Sequence, residues 1–126
     1  MEKYALLTLC RDEIAPRFDM TAEVLIAPIS GENGPLEPDG DHGKNKHLVL
    51  AHVSSEELCD VITRSGVSVV VCGGIEEDYY HYLRWKRIDV VCDVMGPADA
   101  VLERVSGGTL QAGDSLWTPE PGDRRP

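Results

Sequence analysis

The chain has 126 residues, and its 22 acidic side chains against 12 basic ones give a formal net charge of −10. That length suits one domain with a buried core, and the negative balance excludes a nucleic-acid surface, which needs clustered Lys and Arg. No apolar run reaches the ~18 residues of a membrane span, and the run from Tyr4 stops at Arg11-Asp12, too early for a signal peptide. The expected compartment is the cytoplasm, where thiols stay reduced.

A first strand is expected over Tyr4–Cys10, then a loop over Arg11–Asp19 containing Ala15-Pro16-Arg17-Phe18-Asp19. Strands over Glu23–Ile29 and Lys46–His52 flank Ser30–Asn45, whose Gly, Pro, Asp and Asn read as a long loop. Ser54-Ser55 precede Glu56-Glu57 and then Leu58, Val61 and Ile62, the pattern of an N-capped amphipathic helix ending near Gly66. The fourth strand, Val67–Cys72, is apolar without alternation over Val69–Val71, which indicates burial on both faces. A second helix over Glu76–Arg87 is expected to bury Tyr79, Tyr82 and Leu83, and a fifth strand covers Asp89–Met95. Pro97 suits the first turn of a third helix with Ala98, Val101, Leu102 and Val105 inward. The domain is expected to fill 1–112, with the Pro- and charge-rich 113–126 as a flexible C-terminal tail.

Three consecutive strands favour an antiparallel arrangement, whereas the later strand–helix–strand units demand parallel pairs with right-handed crossovers. A five-stranded mixed sheet with helices on both faces satisfies both demands.

The most informative stretch is Val69-Val70-Val71-Cys72-Gly73-Gly74-Ile75, a strand that stops on a thiol and two glycines. Gly73 and Gly74 let the backbone turn sharply with its amides uncovered. Glu76, Glu77 and Asp78 then occupy a helix start, where negative charge suits the dipole. Open α/β sheets place ligands at such junctions, although a Gly-Gly pair also serves as a plain tight turn. Cys10, Cys59, Cys72 and Cys92 are spaced by 49, 13 and 20 residues, so no C-x-x-C pair argues for a zinc ribbon or a thioredoxin-type site. Free cysteines also serve as small buried hydrophobes.

The remaining candidates have bland readings. His47 and His52 have odd spacing on a strand and face opposite sides. His42, beside Asp39 and Asp41, suits a weak surface metal site or simply a solvated loop. His81 lies among Tyr79, Tyr80, Tyr82 and Trp85, whose near-helical spacing reads as packing. Arg64 and Arg84 to Arg87 stand near helix C-termini, where the dipole favours them, or they dock an acidic partner. No Ser-His-Asp, Walker or zinc-hydrolase pattern appears, and only Asp12 and Glu13 stand near the first strand's end, too few carboxylates for a two-metal nuclease. A non-catalytic protein is expected.

Ala15-Pro16-Arg17-Phe18-Asp19, then Val67 to Ile75, then the closing strand and helix from Asp89 to Leu110, together resemble the dinitrogenase iron–molybdenum cofactor biosynthesis family over residues 4–110. These are small cofactor carriers, orange-protein-like members included. The resemblance implies a ribonuclease H-like three-layer fold with sheet order 3-2-1-4-5. Strands one and four would then be parallel neighbours, with Cys10 and Cys72 at one rim and the Pro16–Asp19 loop over it. It further implies a cofactor-binding surface of Cys72, Gly73, Gly74, Arg17 and Phe18, with Cys10 and Cys72 as metal ligands and Cys92 as a third thiol. The implied cargo is a molybdenum-, iron- or copper-containing sulfide cluster. Soft thiolates suit such metals, and a guanidinium suits an anionic sulfide. Implied partners are cofactor-assembly or recipient proteins, with the chain a monomer or weak homodimer. The alternative is an interaction or regulatory domain that kept the fold without a cluster. Glu76-Glu77-Asp78 stands where such carriers continue with Gly-Pro, and carboxylates repel an anionic cluster.

Overall fold

The computed structural model describes residues 3–29 and 45–116. Its centre is β1 (Tyr4–Cys10), whose middle five residues are buried on both faces. β1 pairs antiparallel with β2 (Glu13–Ile14) and β3 (Glu23–Pro28), and parallel with β5 (Val69–Val71). β4 (Lys46–Val49) runs antiparallel beside β3, and β6 (Asp89–Val91) runs parallel beside β5. The sheet order is β4-β3-β1-β5-β6, with β2 pairing β1 off this path.

The sheet therefore has six strands rather than the expected five. The extra one, β2, folds back on the end of β1 so that Cys10 faces Glu13 and Leu9 faces Ile14. The two turn residues are Arg11 and Asp12, and Arg11 adopts the left-handed φ of 63°. Two-residue hairpins usually announce themselves by Asn-Gly or Asp-Gly; Arg-Asp carries no such signal.

Alternation along the strands builds two cores. Leu6, Val24, Ile26, Val70 and Cys72 pack with Leu58 and Ile62 of α1 (Ser55–Ser65) and Leu83 of α2 (Glu77–Trp85). Ala5, Leu7, Leu9, Val69 and Val71 pack with Val101 and Val105 of α3 (Ala98–Ser106). Helices thus cover both faces, and each fully buried aliphatic side chain contributes about 1.5–3 kcal/mol.

Local signals set the helix limits. Ser54 Oγ accepts the Glu57 amide at 3.1 Å while Glu57 Oε2 accepts the Ala51 amide at 3.2 Å, closing the start of α1. Gly66, at φ 69°, ends it. Pro97 takes the N-cap of α3. In α2 only Leu83 is fully buried; Tyr79 is half-buried and Tyr82 exposed, because this nine-residue helix turns a narrow stripe inward.

The strands are shorter than expected. β4 stops at Val49, leaving His52 exposed beyond it, and β6 stops short of Asp93, whose φ is 59°. Backbone hydrogen bonds join residues 113–116 to the end of β6 and the segment after it. Gly113 donates to the Cys92 carbonyl at 3.0 Å, Met95 to that of Asp114 at 3.0 Å, and Leu116 to that of Met95 at 2.8 Å. Residues 30–44, which hold nearly all of the loop expected over Ser30–Asn45 with His42, Asp39 and Asp41, and residues 117–126 of the expected tail lie outside the described residues. No helix among the described residues is long and apolar enough to cross a membrane.

Candidate functional site

β1 and β5 are parallel neighbours whose onward connections diverge, one toward β2 and β3, the other toward α2 and β6. Divergence of this kind opens a crevice at the carboxyl ends of the strands. Here the Ala15–Phe18 segment covers it. Ala15 donates to the Thr8 carbonyl at 2.9 Å, Gly74 to that of Pro16 at 2.8 Å, and Phe18 to that of Gly74 at 2.7 Å. The two motifs singled out in the sequence, separated by nearly fifty residues, are therefore one structural unit.

Gly73 is what allows the contact. A β-carbon there would meet the Pro16 carbonyl oxygen at 2.5 Å, so no side chain fits without displacing the loop. Phe18 pins the other end: it is fully buried, with its ring centroid 6.1 Å from that of Tyr79. Arg17, between these anchors, points outward and forks onto Asp19, with Nε 3.1 Å from Oδ1 and Nη2 2.8 Å from Oδ2. Thr21 Oγ1 donates to the Arg17 carbonyl at 3.1 Å and steadies the turn.

The result is a groove of about 260 Å³ lined by Arg17, Asp19, Gly74, Ile75 and Glu76. That is smaller than the usual span of organic-ligand pockets, roughly 300–1,000 Å³, and suits a compact inorganic group. Of the residues expected to touch cargo, Arg17 and Gly74 line the groove, whereas Cys72, Gly73 and Phe18 are buried.

The thiols are arranged differently from the expectation of a Cys10–Cys72 pair. The register Leu7↔Val71 puts Cys72 level with Thr8, and Cys10 lies two residues further, about 7 Å along the strand. Cys72 instead lies beside Cys92: its amide donates to the Val91 carbonyl at 3.0 Å, and both residues belong to the core under α1 and α2. Burial, then the nearby Cys92 and Asp93, push the Cys72 thiol far above its ordinary range. Burial and Asp93 also raise Cys92, and burial alone pushes Cys59 up to about 11. Cys10 is exposed. Among the described residues no three His, Cys, Asp or Glu side chains gather as a metal site. His47 pairs with Glu23 at 3.3 Å and His81 with Glu77 at 3.7 Å.

Sequence reading missed the Asp19 fork and ranked Cys92 only third, behind Cys10, among the thiols near Cys72. The Cys72–Cys92 adjacency had a signal, since Val70-Val71-Cys72 and Val90-Val91-Cys92 are parallel repeats that pair in register.

Fold and crevice together define a small α/β protein with a mixed sheet and a groove at the carboxyl ends of its parallel strands. No protein-family model matches the sequence, and no curated protein matches it. Solved structures do share the fold. PH0822 superposes with a TM-score of 0.71 at 19% identity, over 86% of this chain and 93% of its own. MJ0327 from Methanocaldococcus jannaschii, a dinitrogenase candidate, gives 0.64 at 18% identity, over 88% of this chain and 94% of its own. The apo form of the orange protein from Desulfovibrio gigas gives 0.63 at 17% identity, over 89% and 93%. At such identities the likeness shows the fold.

Proposed function

We propose that the chain is a non-catalytic carrier, of ribonuclease H-like fold, for a metal–sulfide species related to iron–molybdenum cofactor chemistry. The observation that carries this reading is the docking of Ala15–Phe18 on the Gly73–Gly74 turn, which presents Arg17 at the mouth of the crevice. The likeness in fold to the orange protein and to a dinitrogenase candidate supports it. Arg17 would hold an anionic sulfide or oxyanion by its planar fork, exchanging Asp19 for the cargo. Gly73 and Gly74 would let it approach the backbone closely. Cys10 and Cys72 are the proposed soft ligands, and Cys72, packed in the core under α1 and α2 with Phe18, reaches cargo only when that packing opens.

The test is anaerobic reconstitution with tetrathiomolybdate and copper(I), or with iron and sulfide, followed by metal analysis and a visible spectrum. A sulfide charge-transfer band that Arg17→Ala abolishes is the expected result. Cys72→Ser distinguishes direct ligation, which loses the band, from support of the turn, which keeps it. A protein that stays colourless and metal-free sinks the carrier reading.

One alternative has its own support. The groove sets the carboxylates of Asp19 and Glu76 against the single cation of Arg17, and Cys72 is a buried, protonated thiol. Both features suit a regulatory or interaction domain that retains the fold without cargo.

A further inference from the structure

α1 and α2 lie side by side on one face of the sheet, and a second groove, of about 420 Å³, runs between them. Cys59, Tyr79 and Tyr82 supply its apolar lining, and the exposed carboxylates of Glu56, Asp60 and Asp78 stand around it from both helices. No Lys or Arg lines it. Of these carboxylates Asp60 already pairs with Arg64 at 3.3 Å, an exposed i,i+4 contact that a partner's cation can exchange, and Lys86 lies 5.8 Å from the Tyr82 ring centroid and 5.4 Å from that of Trp85. The aromatic surface continues outward onto Trp85, which is 75% exposed. The Tyr79 phenol is raised above its ordinary range by desolvation and then by Glu56, Glu76, Cys59 and Asp78, so the negative field crosses the groove from both sides.

Aromatic faces flanked by carboxylates complement one chemistry. Lys and Arg side chains gain from the ring quadrupole and from charge-assisted hydrogen bonds to carboxylate, and the overall charge of −10 draws a basic partner in. The same field repels acidic peptides and nucleic acid. Lys86 on Tyr82 and Trp85 already shows these rings accepting an ammonium group.

We propose that the α1–α2 groove docks a basic segment of a partner protein, with Lys or Arg side chains between Glu56, Asp60 and Asp78 and their stems on Tyr79 and Tyr82. This surface is separate from the Arg17 groove. It holds whichever occupant that groove takes, and the two tests fail independently.

The probe is a short synthetic peptide alternating Lys and Arg with Leu, titrated calorimetrically into the full chain at low salt. Two variants each remove two charges: Glu56→Gln with Asp60→Asn in the groove, and Asp99→Asn with Glu103→Gln on α3 across the sheet. The groove variant is expected to weaken binding by about tenfold or more, and the α3 variant by less than about twofold because of screening. Tyr82→Ala, at an exposed ring, is expected to weaken binding several-fold and provides a second reading should the charge changes disturb α1. Equal weakening by both charge pairs would mean diffuse attraction to an acidic chain and would overturn the proposal. So would unchanged affinity in the groove variants, or a wild-type chain that ignores the peptide.

Discussion

The Pro16 carbonyl oxygen lies 2.5 Å from where a β-carbon on Gly73 would stand, and it accepts the Gly74 amide at 2.8 Å. Residue 73 is therefore restricted to glycine by another segment's backbone and not by its own dihedral angles. Gly73→Ala must push the Ala15–Phe18 segment off the turn, at a cost of about 1–3 kcal/mol from overpacking. A urea midpoint lowered to match, with amide shifts concentrated at residues 15–19 and 72–76, is the expected outcome. Wild-type stability would show that the loop is free to move.

Arg17 gives the opposite pattern. Its side chain is 67% exposed and its partner Asp19 is two residues away. Arg17→Ala should therefore change stability by less than about 0.5 kcal/mol. If cargo retention falls while the melting curve stays in place, Arg17 acts on ligand and not on folding.

The thiols should separate by reactivity. Cys10, exposed, is expected to react with a disulfide reagent in the native state ahead of the other three. Cys92 should follow more slowly, and Cys59 and Cys72, buried and held protonated, should react only as the chain unfolds. Labelling kinetics on single Cys→Ser variants assign each phase. Rapid native labelling of Cys72 would indicate that the packing around it opens readily and would favour direct ligation of cargo.

The same burial makes the fold sensitive to alkali. Cys59 has a folded value of about 11 against an ordinary 9.0. Below pH 9 it is protonated folded or unfolded, and its contribution to stability is fully present. Above that the unfolded chain ionises first, so stability falls as pH rises toward the folded value. The loss should reach about 1 kcal/mol at pH 10 for this thiol. Cys72 and Tyr79, both raised, add to the same slope. Urea midpoints at pH 8 and pH 10 measure the total, and a smaller difference in Cys59→Ala isolates the share of Cys59.

Ser54 offers a check on local structure. Its hydroxyl accepts the Glu57 amide, so Ser54→Ala should cost about 1 kcal/mol. Ser54→Asp should restore most of that loss, since an aspartate accepts the same bond at the helix start.

Much of this molecule was decided by short-range chemistry, and that part could be read directly. The unbroken apolar run at Val69–Val71 meant a strand buried on both faces, Ser54-Ser55 before Glu56-Glu57 meant a capped helix start, and Gly66 meant its end. Each depends only on neighbours a few residues away. The path through the five principal strands was implied by the resemblance and not by alternation or crossover handedness, which gave only the mixed pairing, and the sheet keeps it. Tertiary structure decided what depends on segments distant in the chain. Register between β1 and β5 put Thr8, not Cys10, beside Cys72, and register between β5 and β6 brought Cys92 there instead. Packing turned Phe18 inward and left Arg17 outside, because the backbone is extended at Arg17 and successive side chains of extended chain point opposite ways. A residue's type states which chemistry it can do. Which neighbours it does it with depends on how strands slide and pack, and that is settled by the burial of the whole core.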